Sequence, residues 1–288
     1  MIDLEPVFGP KVRDQKTWNP VIIIRHGILS SLTPFQPLAS WLQTQFPAAV
    51  VDNHSYNWKD AILLNGALLA EHIQTNYPGE RELILIGHSM GGLVCRIAAC
   101  FLSGNAFQSS SALANGYRPA DVQRVSNLHF KKRCVNGLVT LATPNSGAML
   151  GGQVGLLMGV VRRFVNMTHQ GIQDLTNPRL FRILQGYKVT TKVLTISGSN
   201  FNRFSQVSGT LANWLKHGGI RLDLPHDRVV EDRSVNLQES ILPNEILHQG
   251  ASVCKHLRAY ENCTEITHTN IYDDPVVQEY ISDFICRC

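Results

Sequence analysis

The sequence predicts an α/β fold, with a mostly parallel central sheet covered by helices on both faces. Short apolar runs alternate along the chain with segments of helical periodicity, the pattern that parallel sheets produce. One of these runs, 21–24, is wholly β-branched, as in strands buried on both faces. The hydrophobic content of 44% supports a sizeable core and argues against disorder. At 288 residues the chain fits one large domain, which we expect over residues 1–288.

Local patterns predict the elements of the first half of the chain. Residues 21–24 form the first strand, and Thr33 with Pro34 supplies the N-cap and first position of a helix. A second strand is predicted over 48–52, and Asp60 is expected to open the next helix. Apolar stripes recur at helical spacing in both helices, at Phe35, Leu38, Leu42 and Phe46, and then at Ile62, Leu63, Leu69 and Ile73.

In the remaining chain, apolar runs predict three strands and a closing helix. The strands are expected at 83–86, 135–141 and 190–197, and the closing helix at 275–285. Two stretches interrupt the alternation. Residues 103–124 are polar and are expected to form a surface excursion, while residues 148–186 lack a strand pattern but carry apolar residues at helical spacing.

An insertion at 148–186 lies where a cap or lid over a substrate site would be placed. The simpler interpretation is two packed surface helices. We favour a helical cap, because the insertion follows directly after a predicted strand.

The most informative segment is GHSMGG, residues 87–92, which follows the apolar run 83–86. A helix-like stretch with Leu93, Val94, Ile97, Ala98 and Phe101 comes directly after it. Strand, glycine-flanked serine and helix together define a nucleophile elbow, in which the crowded backbone requires glycine beside the serine. Ser89 is therefore the predicted nucleophile.

A serine nucleophile needs a base within hydrogen-bond reach and a carboxylate that orients the base. Where the serine follows a strand in this way, the carboxylate comes next in the chain and the histidine last. His268 is the predicted base, because it lies in a loop before the closing helix. His248 and His256 are alternatives, the latter expected on a helix face.

Asp227 is the predicted acid. It follows the strand at 190–197 through a long loop and precedes the apolar pair Val229 and Val230. Asp223 and Asp232 compete for this role, and each of the three is also a candidate salt-bridge partner for nearby arginines.

Two backbone N–H groups are needed to stabilise the oxyanion. Met90, the residue after the nucleophile, is the first predicted donor. The second is Ile28, in the turn that follows the first strand, where Gly27 lets the loop fold back across the serine.

These segments resemble the α/β-hydrolase superfamily, and within it lipases and esterases. The resemblance rests on segments 21–27, 87–92, 141–147, 227–230 and 268–271, and on the cap-like piece 171–175. It implies a Ser-His-Asp triad, an acyl-enzyme intermediate, and neither cofactor nor metal. The expected activity is hydrolysis of carboxylic esters of lipids or other acyl compounds.

Related chemistry remains open. The same machinery serves thioesterases, phospholipases, acyltransferases and amidases, and a non-catalytic binding protein of the same fold is the alternative from another class. Three residues depart from the pattern of the relatives: Arg25 before the His-Gly turn, Asn145 and Arg228. For Arg25 we weigh contact with a substrate phosphate or carboxylate against pairing with a local acid.

Charge and targeting patterns limit the classes of binding partner and the cellular location that we expect. The net charge of +4 is too diffuse for nucleic-acid binding but is compatible with transient contact with an anionic membrane surface. The beginning of the sequence lacks a signal-peptide pattern, and no apolar run is long enough to span a membrane, so we expect a cytoplasmic protein.

The seven cysteines favour reduced thiols, because their number is odd and no signal peptide is apparent. Cys95 and Cys100 are expected in the core. Two disulfides among Cys254, Cys263, Cys286 and Cys288 are the alternative.

Overall fold

The fold is taken from a computed structural model that describes residues 3–28, 33–145, 169–176, 180, 182, 191–198, 254–258 and 270–288. The strands are β1 Val21–Arg25, β2 Val50–Asn53, β3 Leu83–His88, β4 Gly137–Leu141, β5 Lys192–Ser197 and β6 Cys254–Arg258. The helices, numbered over the described residues, are α1 Glu5–Phe8, α2 Gln36–Gln45, α3 Ile62–Asn76, α4 Met90–Leu102, α5 Ser109–Ala114, α6 Pro119–Ser126, α7 Gln170–Thr176 and α8 Pro275–Cys286.

The six strands form one sheet in the order β2-β1-β3-β4-β5-β6, and every neighbouring pair is parallel. The order reverses between β1 and β3, since β2 lies outside β1 while the later strands extend from β3 in the other direction. In open α/β sheets, ligands bind at the carboxyl ends of the strands beside such a reversal. A ligand site is therefore expected at the carboxyl ends of β1 and β3.

Successive residues of each strand pack against opposite faces, as the two-residue repeat of a strand requires. In β1, Val21 and Ile23 contact the face covered by α3 and α4, while Ile22 and Ile24 contact the face covered by α2 and α8. The prediction of a parallel sheet with helices on both faces is confirmed.

Several predicted boundaries were wrong. Residues Thr33–Phe35 form a 3₁₀ turn, and α2 begins at Gln36 rather than at Pro34. Helix α3 begins at Ile62, with Ala61 rather than Asp60 at its N-cap. The polar stretch 103–124 contains α5 and the start of α6.

Strand β6 was not predicted. His256 lies within β6 rather than on a helix face, so that expectation was wrong. The strand carries Lys255 and Arg258 and pairs only with β5, at the edge of the described sheet. Edge strands tolerate charged residues. This strand therefore lacks the apolar run by which the central strands were predicted.

Helix α7, within the predicted cap segment, is fixed to the main core. Ile172 and Leu175 are buried, and the Gly171 N–H donates to Lys59 O at 3.2 Å. The buried Asp174 carboxylate accepts a hydrogen bond from Ile62 N at 2.6 Å. This carboxylate thus satisfies one of the unpaired N–H groups at the start of α3. Residues 146–168 lie outside the described residues, and the cap stays a prediction.

The cysteines Cys95, Cys100, Cys134, Cys286 and Cys288 are free thiols. Cys95 and Cys100 are buried in α4, as predicted, and burial raises the pKa of each thiol to about 12. These two thiols are core residues rather than nucleophiles, because the reactive form of cysteine is the thiolate.

Replacing Asp174 with alanine should lower the free energy of unfolding by about 1–2 kcal/mol, because the first turn of α3 loses its acceptor. Asp174→Asn keeps an oxygen at the same place and should lose less than half as much. Urea denaturation of the two variants measures the difference. Equal losses would show that the bond to Ile62 is not what the carboxylate contributes.

Candidate active site

Ser89 occupies the sharp turn between β3 and α4. Its backbone has φ 53° and ψ −126°, a combination that non-glycine residues rarely adopt. The Ser89 N–H donates to Leu141 O at 2.8 Å, which ties the turn to the end of β4. The predicted arrangement of strand, serine and helix is present, with the strain that a nucleophile elbow carries.

The glycines around the serine are there because the backbone is crowded. A Cβ on Gly91 would lie 2.4 Å from Arg25 O, and one on Gly92 would lie 2.0 Å from Thr143 Oγ1. At Gly87 a Cβ would lie 2.4 Å from the Cα of Gly92. Any side chain at these three positions would push β1, β4 or α4 away from the elbow.

The loop after β1 crosses directly over the serine. A Cβ on Gly27 would lie 2.8 Å from Ser89 Cβ and 3.3 Å from Ser89 Oγ. Ile28 follows in this loop and packs against the core, while Met90 is the fully buried first residue of α4. The N–H groups of the first helical turn have no acceptor within their own helix. The structure thus brings both predicted oxyanion residues near the serine, and their role as donors stays a prediction.

Tyr56 holds this loop in place, although no local sequence pattern predicted this role. Its hydroxyl donates to His26 O at 2.8 Å, and its ring stacks on the His26 ring at 4.6 Å between centroids. His26 Nδ1–H donates to Gly27 O at 2.8 Å. Burial lowers the pKa of His26, which keeps the imidazole neutral near neutral pH.

Arg25 pairs with a local acid, the second of the two interpretations considered above. The side chain is 4% exposed, and Nη1 donates to Ile24 O at 2.8 Å and lies 3.7 Å from Asp52 Oδ1. Asp52 also accepts hydrogen bonds from His72 Nε2 at 2.8 Å and from the Tyr77 hydroxyl at 3.0 Å. Burial alone would raise the pKa of Asp52, but Arg25 and these donors outweigh it and lower the pKa.

Asn145 has a structural role that accounts for its buried position. Its Nδ2 donates to Thr140 Oγ1 at 3.1 Å, and the buried Arg96 donates to Asn145 O at 2.8 Å and to its Oδ1 at 3.2 Å. These bonds fasten the loop after β4 to α4, which carries the elbow.

The remaining predicted triad residues lie outside the described residues. These are Asp227 and His268, together with the alternatives Asp223, Asp232 and His248. The described chain resumes at Asn270, close to the elbow. The Tyr272 ring lies 5.3 Å from the ring of His88 and 4.3 Å from that of Phe35.

The chain matches no protein-family model and no curated protein in sequence. It is similar in structure to the product of the gene lin2722 of Listeria innocua, with a TM-score of 0.51 and 13% identity over 93% of this chain and 94% of that one. It is also similar to esterase B of Lactobacillus rhamnosis, with a TM-score of 0.51 and 10% identity over 96% of this chain and 77% of that one.

The chain has the α/β-hydrolase fold, as predicted from its sequence. The sheet order, the elbow at the end of β3 and the structural likeness agree on this point. Among the described helices, none combines the length and apolar character that crossing a bilayer requires.

Tyr56→Phe removes the hydroxyl that holds His26 and leaves the ring stack in place. We expect Ser89 to react with a fluorophosphonate about tenfold more slowly, because small displacements of a catalytic loop are costly in rate. Tyr77→Phe is the matched control and should change this rate less than twofold, since its hydroxyl contacts Asp52 instead of the loop. Equal rates for wild type and Tyr56→Phe would contradict the positioning role.

Proposed function

We propose that this protein is a serine carboxylic-ester hydrolase acting on esters of lipids or other acyl compounds. The observation that carries the proposal is the strained Ser89, held at the carboxyl end of β3 beside the reversal of strand order. A backbone in this conformation is retained only where the surrounding structure enforces it, and such positions cluster at active sites.

In the proposed reaction, Ser89 Oγ attacks the ester carbonyl carbon while His268 accepts the hydroxyl proton. The N–H groups of Met90 and Ile28 stabilise the oxyanion of the tetrahedral intermediate. The alcohol leaves with the proton from His268, and an acyl-enzyme forms. Water then attacks the acyl-enzyme by the same steps, with Asp227 holding His268 in the correct tautomer throughout.

The position of His268 in the chain supports its role. It is four residues from Tyr272, so the two Cα atoms are at most about 14 Å apart. The Tyr272 ring contacts His88, the residue immediately before the nucleophile. This short separation along the chain supports His268 as the proposed base.

The position of Asp227 is supported by the topology. β5 and β6 are parallel to β3, so the chain leaving β5 emerges at the same edge of the sheet as Ser89. Asp227 lies in this connection, which runs from Ser197 to Cys254. The same holds for Asp223 and Asp232, and the choice among them is therefore tested below.

The preference for lipid esters rests on the apolar residues of the predicted cap, 148–186, which would supply an acyl site. A thioesterase or phospholipase would use the same nucleophile and differ in the leaving group. Transient contact with a membrane surface would bring a lipid substrate to such a site.

Ser89→Ala should abolish hydrolysis of p-nitrophenyl esters, with a loss of about 10⁴-fold or more, because no other group replaces the nucleophile. The wild-type enzyme should hydrolyse long acyl chains up to palmitoyl as well as acetyl. A colorimetric rate assay over this series measures both properties. Ser110→Ala, at an exposed serine of α5, is the control for the substitution itself.

The outcomes separate the alternatives. Activity that persists in Ser89→Ala would overturn the mechanism, and activity confined to short chains would overturn the acyl-cap hypothesis. A folded wild-type protein that neither hydrolyses these esters nor labels with a fluorophosphonate would favour a non-catalytic binding protein.

Asp227→Asn should lower kcat by about 10⁴-fold, because the histidine loses the carboxylate that fixes its tautomer. Asp223→Asn and Asp232→Asn should each retain kcat within a few-fold. Steady-state kinetics of the three matched variants identifies the acid. A large loss in one of the other two, with Asp227→Asn active, would reassign the role.

A further inference from the structure

A second group of chemically active side chains lies away from the elbow, beside the edge strand β2. It consists of Asp52 in β2, His54 just after that strand, and His72 in α3. Among the described residues, one ligand atom from each of these three lies within 4.8 Å of the others. We call this group the Asp52 cluster.

The spacing of the cluster fits a small divalent cation. Asp52 Oδ1 lies 3.2 Å from His54 Nδ1, and Asp52 Oδ2 lies 2.8 Å from His72 Nε2. Ligands of a tetrahedral zinc ion, with bonds of about 2.1 Å, are separated by about 3.4 Å. The two Asp52–histidine distances would have to lengthen by a few tenths of an ångström around an ion, and the two histidine nitrogens lie at most 4.8 Å apart.

The cluster is accessible on one side and anchored on the other. The His54 side chain is 69% exposed and that of His72 is 26% exposed, whereas Asp52 is buried. An ion can therefore enter from solvent and meet a fixed carboxylate. Two of the three ligands lie on β2 and α3, elements held by the core.

The surroundings supply the outer contacts that metal ligands use. The Tyr77 hydroxyl donates to Asp52 Oδ2 at 3.0 Å, which orients the carboxylate. The Asn76 amide nitrogen lies 3.0 Å from His72 Nδ1 and donates to His72 O at 2.9 Å, which fixes the orientation of the amide. Coordination through Nε2 requires the His72 proton to move from Nε2 to Nδ1 and the Asn76 amide to move away from that nitrogen.

One charge opposes a cation at this place. Arg25 Nη1 lies 3.7 Å from Asp52 Oδ1, on the buried side of the carboxylate. Arg25 weakens the site but does not block it, because the histidines approach Asp52 from the exposed side.

We propose that the Asp52 cluster binds a divalent first-row transition metal ion, with Asp52, His54 and His72 as ligands. Two imidazoles and one carboxylate suit zinc and its neighbours better than magnesium or calcium, which prefer oxygen ligands. The bound ion ties the end of β2 to α3, and water completes its coordination. This proposal does not rest on the proposed hydrolase activity.

Equilibrium dialysis of the full chain against Zn²⁺ tests the proposal, with Mg²⁺ as the comparison ion. We expect one Zn²⁺ at this site, with an affinity reduced at least tenfold in His54→Ala and in His72→Ala. The control His129→Ala removes another exposed histidine, outside the cluster, and should bind as wild type does. Zn²⁺ should also raise the Tm of the wild type and of the control more than that of the two cluster variants.

Because His54 is exposed, His54→Ala tests the proposal even if His72→Ala folds poorly. The absorption spectrum of bound Co²⁺ gives an independent measurement and should lack the charge-transfer band of a thiolate ligand. Binding that is unchanged in His54→Ala, a thiolate band, or no binding to the wild type would each overturn the proposal.

Discussion

The turn at Ser89 is the constraint on which the rest of the structure depends. A serine at φ 53° and ψ −126° costs on the order of 1–3 kcal/mol, and the packing around it must supply this free energy. β1, β4 and α4 all approach the turn so closely that Gly27, Gly91 and Gly92 have no room for a side chain. The bond from Ser89 N to Leu141 O then fixes the serine relative to the sheet. Ser89, the proposed nucleophile, is thus held in place by elements that also form the core.

A second set of contacts lies where β1 and β2 end. Tyr56 holds His26, while Arg25 at the end of β1 pairs with Asp52 in β2. Asp52 is also the carboxylate of the proposed metal site. A metal ion at the proposed site would therefore bind the residue that pairs with Arg25. One ion pair would thus connect the proposed metal site to the strand that leads into the loop over Ser89.

The sequence predicted the central strands well and the helix starts less well, for reasons visible in particular residues. The apolar runs at 21–24 and 83–86 can be recognised as strands from the sequence, because a strand covered on both faces must be apolar throughout. The start of α3 depends instead on Asp174, which bonds to Ile62 from 112 residues away. No local pattern contains that information. Strand β6 was not predicted, because an edge strand with Lys255 and Arg258 lacks the apolar run that marks a buried strand.

The sequence by itself determined the elbow, its flanking glycines and the parallel α/β architecture, since these follow from spacing and from the steric limits of neighbouring residues. The tertiary structure alone decided that Arg25 faces Asp52, that Tyr56 holds the loop over Ser89, and that His54 and His72 meet at one carboxylate. Each of these contacts joins residues on different elements. Their meeting depends on how the helices cross the sheet and on the strand order β2-β1-β3, which no short stretch of sequence encodes.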